Sequence, residues 1–136
     1  MSTTRRTDGQ GSEDGFTLLE LITVVALIGI LAAIALPNYR IALISAREAV
    51  LKEDLYRFRD LVDQYYADKG RYPASLEAMV EDGYMRRIPN DPMTNAPDWV
   101  TVAAEAEPGT EEEPGVYDVK SASENLSMSG TPYSEW

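Results

Sequence analysis

Glu20 is the one charged side chain between Phe16 and Leu36, in a run otherwise made of Leu, Ile, Val, Ala, Gly and Thr. A carboxylate placed inside a lipid-facing helix costs a few kcal/mol even on lenient insertion scales, so it needs a partner or a reason. The chemistry this position suggests is an ion pair, not a reaction. The wider inventory agrees. The chain has 136 residues, no Cys and no His, so it lacks a thiol nucleophile, a thiolate metal site and the commonest general base. Its acids gather at Glu105, Glu107 and Glu111 to Glu113, a stretch broken by Pro108, Gly109 and Pro114, which reads as a solvated loop. No set of residues points to an active site, and the expectation is that the protein is not an enzyme. A formal net charge of -11 repels phosphate backbones, so nucleic acid is not expected as a partner.

The element that carries Glu20 is an apolar helix. From Phe16 to Leu36 it spans roughly 31 Å, about one bilayer core, and Pro37 follows it. Residues 1–15 are polar, with Arg5 and Arg6 early and Glu13-Asp14 late, and Gly15 closes them. A secretory signal would place its cleavage site after the apolar run. Here the polar part comes first, so any cut falls before the helix.

Beyond Pro37, Ile44, Leu51, Leu55, Phe58, Val62 and Tyr65 recur three, four or seven residues apart and line one helical face. Glu48 with Lys52 and Glu53 with Arg57 are i,i+4 pairs in the favourable orientation. Lys69-Gly70 and Pro73 end the helix near Ala67. Its apolar face requires a covering layer, and Arg71 to Trp136 must supply it. Ser75 to Glu81 reads as a short helix closed by Asp82-Gly83. The prolines between Pro89 and Pro97 impose a loop. Trp99 to Val102 and Gly115 to Lys120 read as an antiparallel pair of strands joined by the acidic loop. The fold class is therefore α+β, a long N-terminal helix packed on a small antiparallel β-sheet head. The boundaries are 1–15 leader, 16–37 membrane helix, 38–67 amphipathic half and 68–136 head.

The stretch Gly15-Phe16-Thr17-Leu18-Leu19-Glu20 resembles the type IV prepilin superfamily, which comprises pilins and the pseudopilins of type II secretion. The resemblance implies a pilin-like fold and cleavage between Gly15 and Phe16 by a membrane-embedded prepilin peptidase. It also implies methylation of the new amino terminus, which makes Phe16 an N-methylphenylalanine. Glu13 and Asp14 depart from the more basic leaders common in the family, while Arg5 and Arg6 keep cytoplasmic positive charge near the segment. After cleavage the Phe16 ammonium and the Glu20 carboxylate lie one turn apart. The resemblance implies that Glu20 of an incoming subunit seeks the amine of its neighbour in a filament. Gly29 and Pro37 are weak helix positions, where a kink or a locally extended stretch is expected when subunits pack.

Arg71-Tyr72-Pro73, Gly83-Tyr84-Met85, Pro89-Asn90-Asp91-Pro92 with Asn95, Tyr117-Asp118-Val119 with Ser121, and Trp136 together resemble the major pseudopilins of type II secretion systems. That narrower resemblance implies a periplasmic filament anchored in the bacterial inner membrane before assembly. Its implied partners are further copies of the chain, minor pseudopilins, the prepilin peptidase, an inner-membrane platform protein, a cytoplasmic ATPase and an outer-membrane secretin. The alternative is a type IV pilin of a surface pilus, which shares every residue argument up to about Tyr66. The family loop after the last strand usually binds calcium. Here Glu124, Asn125 and Glu135 are the side chains available for it, and the expected arrangement is instead a tail pinned by Pro132, Tyr133 and Trp136.

Overall fold

The computed structural model describes residues 13–136, with side chains from Thr17 onward. Residues 1–12, including Arg5 and Arg6 of the leader, lie outside the described residues. Helix α1 runs Glu13–Lys69, helix α2 Leu76–Glu81, strand β1 Val100–Ala103 and strand β2 Val116–Lys120, with a 3-10 turn at Tyr133–Glu135. The chain divides into two units, Met1–Ala42 and Leu43–Trp136.

In the first unit α1 is apolar on every side, and the large side chains from Leu18 to Leu36 are all exposed. The helix passes through Gly29 and Pro37 without a break, so the extended stretch expected of packed subunits is not a feature of the single chain.

In the second unit the periodic face becomes a core. Leu51, Leu55, Phe58, Val62 and Tyr65 of α1 are buried against Leu76 and Met79 of α2, Trp99, Val116 and Val119 of β2, and Tyr133. Phe58 meets the Trp99 ring edge-on with centroids 4.9 Å apart, a favoured aromatic geometry. Ile44 belongs to the same stripe in sequence but is 41% exposed; the covering layer does not extend over it.

Local chemistry sets the boundaries. Gly70 takes φ 68° and its N–H donates to Tyr66 O at 2.8 Å, which closes α1 with a left-handed residue that glycine tolerates. Ser75 caps α2, its Oγ accepting from Ala78 N at 3.1 Å. The proline-rich loop is ordered by Asp91, which is fully buried. Its Oδ1 accepts from Met93 N at 2.8 Å, its Oδ2 accepts from Ser121 Oγ, and its carbonyl accepts from Asn95 N at 2.7 Å.

The strands pair antiparallel, Val100 with Lys120, Thr101 with Val119, Val102 with Asp118 and Ala103 with Val116. The register shift leaves Tyr117 as an extra residue. This bulge breaks the two-residue alternation and turns both Val116 and Val119 to the core. Gly115 precedes it because a Cβ there would lie 2.6 Å from Tyr72 O and 2.8 Å from Pro73 O. That close approach lets Val116 N donate to Pro73 O at 2.7 Å.

Candidate functional site

Two regions carry the residues of interest. The first is the start of α1. Gly15 and Phe16 fall in its opening turns, where only the backbone is described. Glu20 is exposed on the helix surface, and no described side chain forms an ion pair with it. In the uncut chain the Phe16 nitrogen is a peptide N–H, so the ammonium that could pair with Glu20 exists only after cleavage. Around this carboxylate, Leu18, Leu19, Leu21 and Ile22 are each about three-fifths exposed or more. Among the described residues α1 holds one stretch long and apolar enough to cross a membrane. Fully burying each such side chain is worth about 1.5–3 kcal/mol, so the surface demands a covering of lipid or protein.

The second region is where the chain's C-terminal segment meets α1. The Glu48–Lys52 pair expected from spacing is not formed. Glu48 Oε1 instead accepts from Met128 N at 2.8 Å and from Tyr133 Oη at 2.8 Å, and Lys52 Nζ sits 5.0 Å above the Trp136 ring. The tertiary partners win because a single-turn ion pair on an exposed helix is worth only a few tenths of a kcal/mol. Hydrogen bonds to a charged group contribute about 1.5–3 kcal/mol. The Glu53–Arg57 pair does form, at 3.0 Å. Arg59 adds a further tie, donating from Nε to Asp118 Oδ1 at 2.8 Å and from Nη2 to Trp136 O at 2.7 Å. Tyr133 is buried, so the tail is pinned by Tyr133 and Trp136 as the sequence suggests. The helix residues that hold it, Glu48, Lys52 and Arg59, were not singled out for this role by spacing. The sequence signal that could have drawn notice to Arg59 is a cation beside the apolar stripe.

Glu124, Asn125 and Glu135 are all exposed. Among the described residues no three acidic side chains converge where they could hold a metal ion. The acidic loop Glu105 to Glu113 lies exposed between the strands.

At the far end of α1, Lys69 Nζ lies 3.1 Å from Asp82 Oδ2, which also accepts from Tyr65 Oη at 2.9 Å. Tyr84 Oη donates to Asp68 at 2.7 Å, and that bond, reinforced by burial, pushes its phenol up to about 12. The hydrogen bonds from Lys69 and then Tyr65 hold the Asp82 carboxyl below its ordinary 3.8. A carboxyl depressed in the folded state contributes stability above its unfolded value, about 3.9, and loses it as pH falls through the lower folded value. Burial raises the Asp54 carboxyl, which acts in the opposite sense, so the difference between variants isolates Asp82. Asp82→Asn is expected to lower the urea midpoint at neutral pH and to leave it nearly unchanged well below the Asp82 folded value. Unfolding curves at the two pH values check this.

The start of α1 and the longer part of the chain have matches of different reach. Residues 11–36 match the model of the prokaryotic N-terminal methylation motif. The type II secretion system core protein G of Escherichia coli K12 is 34% identical over 134 residues, covering 87% of this chain and 84% of that protein. Its namesake in Klebsiella michiganensis is 33% identical over 97 residues, 60% of this chain and 68% of that protein. That of Aeromonas hydrophila is 28% identical over 135 residues, covering 79% and 94%. No solved structure gives a significant match. With a methylation motif that takes in the exposed apolar start of α1, and a relative matched over most of both chains, the chain belongs to the type II secretion system core protein G family, the major pseudopilins.

Proposed function

We propose that this chain is the repeating structural subunit of a type II secretion pseudopilus. In this reading it is made as a single-pass inner-membrane precursor with its head in the periplasm. The prepilin peptidase cuts between Gly15 and Phe16 and methylates the Phe16 amine. The subunit then leaves the bilayer and joins a helical homopolymer, tipped by minor pseudopilins, through the apolar half of α1. A cytoplasmic ATPase and an inner-membrane platform protein drive the addition, and the growing filament pushes folded proteins through an outer-membrane secretin. No residue of the chain performs chemistry.

The observation that carries this reading is the single carboxylate of Glu20 within an apolar surface exposed on every side, inside the stretch that matches the methylation motif. Lipid satisfies the apolar side chains but not the carboxylate. A filament of like subunits satisfies both, since each Glu20 meets a Phe16 ammonium while the leucines and isoleucines pack on one another. Gly29 and Pro37 are where α1 opens on packing, because Pro37 has no N–H for the carbonyl of Ala33 and glycine costs helix about 1 kcal/mol relative to Ala.

Intact-mass measurement of the chain from native membranes, with the peptidase gene present and deleted, tests the reading. The expected result is loss of Met1 to Gly15 and gain of one methyl group on Phe16 only when the peptidase is present. A full-length, unmethylated chain in both strains would refute it.

A further inference from the structure

The family resemblance places calcium in the loop after the last strand, and the residues present do not fit it. Calcium takes six to eight oxygens, several of them from carboxylates. From Ser121 to Trp136 the acidic side chains are Glu124 and Glu135, both exposed, and neither belongs to a group of three acidic side chains that could hold a metal ion among the described residues. Several of the loop's other oxygens already have donors. Asn125 O accepts from Tyr133 N at 3.0 Å, Ser127 O from Gly130 N at 3.0 Å, and Thr131 O from Ser127 N at 2.8 Å. Ser127 Oγ lies 2.8 Å from Ser129 Oγ and 3.1 Å from Thr131 Oγ1, and it accepts from Thr131 N at 3.2 Å. Among the described residues no buried side-chain oxygen or nitrogen lacks a partner. A cation cage is a set of acceptors facing one another with no donor between them; this loop alternates donors with acceptors.

What joins the loop to the rest of the head is one carboxylate. Glu48 Oε1 receives Met128 N, 80 residues away in the chain, and Tyr133 Oη, 85 residues away. Two charge-assisted bonds on one oxygen thus close a long stretch of chain, which is the task a disulfide or a metal clip performs elsewhere. Burial, and next the bond to Glu48, push the Tyr133 phenol up, in keeping with a neutral donor held against a carboxylate.

We infer that Glu48, backed by the hydroxyl cluster of Ser127, Ser129 and Thr131, is the staple of this chain's C-terminal loop, and that the loop takes its structure without a divalent cation. The inference concerns the single chain and does not depend on filament assembly.

The test uses the full chain in detergent micelles, comparing millimolar calcium with excess chelator. Amide hydrogen exchange at Met128 and the thermal midpoint of the head are the readouts. In the wild-type chain neither should change between the two conditions. Glu48→Ala should speed Met128 exchange by about tenfold or more and lower the midpoint by about 5 °C or more, equally with and without calcium. Glu48→Gln, which keeps the shape and loses the charge, should fall between. Faster Met128 exchange or a lower midpoint in the wild-type chain on chelation, reversed by calcium, would overturn the inference. So would wild-type exchange at Met128 in both Glu48 variants. The wild-type comparison needs no substitution and decides the cation question even if a variant folds poorly.

Discussion

Glu20→Ala is expected to leave the proposed cleavage between Gly15 and Phe16 and the methylation of the new terminus intact, and to lower filament yield by about a hundredfold or more. The two effects separate because the carboxylate has different neighbours at the two stages. Before cleavage the Phe16 nitrogen is an uncharged amide, and Glu20 stands exposed on α1 with no ion-pair partner among the described residues. Removing it then costs little. After cleavage an ammonium sits at Phe16 in the apolar surface of the helix. When subunits pack, that charge is taken from water and lipid headgroups alike, and without a carboxylate it stays unpaired. Breaking one half of a buried ion pair costs about 3–5 kcal/mol, and each 1.4 kcal/mol is about a factor of ten in the equilibrium of subunit addition. Mass spectrometry of the membrane-bound chain measures processing, and filament sheared from cells or imaged in the periplasm measures assembly. Filament at wild-type yield from the variant would end the pairing argument. An unprocessed variant would mean that the peptidase itself reads Glu20.

The second large effect is in the head. Phe58→Ala is expected to destabilise it by about 3–5 kcal/mol, through lost burial and the cavity left behind. Phe58 is 2% exposed and stands on the line between α1 and the Trp99 ring, so its removal also takes away the edge-on aromatic contact at 4.9 Å. For a small domain whose whole stability is about 5–15 kcal/mol, that is a large share. Tyr56 is the control, since it lies two residues away on another face of the same helix and is 68% exposed. Tyr56→Ala should stay within about 0.5 kcal/mol of wild type. Urea unfolding followed by tryptophan fluorescence reads both variants. Equal midpoints for the two would mean that the face of α1 carrying Phe58 is not the one the head depends on.

Much of this molecule was legible before any coordinates. An all-round apolar run and a following stripe at helical spacing are one-dimensional patterns, and helical geometry converts them directly into surfaces. Lys69-Gly70 and Ser75 mark helix ends through their own backbone preferences, and the ends fall where those residues stand. The methylation motif around Gly15-Phe16 and the lone carboxylate at Glu20 are likewise local features, because a short motif and a charge in an apolar helix need no tertiary context to be conspicuous.

What escaped was set by contacts between segments far apart in the chain. Spacing paired Glu48 with Lys52, but folding brings Met128 and Tyr133 to Glu48 and Trp136 to Lys52, and stronger distant bonds displace a weak local one. The prolines around Asp91 foretold a loop, as found, but not that a buried carboxylate with backbone donors would order it. The bulge at Tyr117 cannot be seen in a strand pattern, since only the partner strand's register defines it. The sequence by itself determined the helix, its exposed apolar half and the order of elements in the head. The tertiary structure alone decided which side chains hold the C-terminal loop, because a hydrogen bond between residues 80 positions apart exists only after the chain has closed.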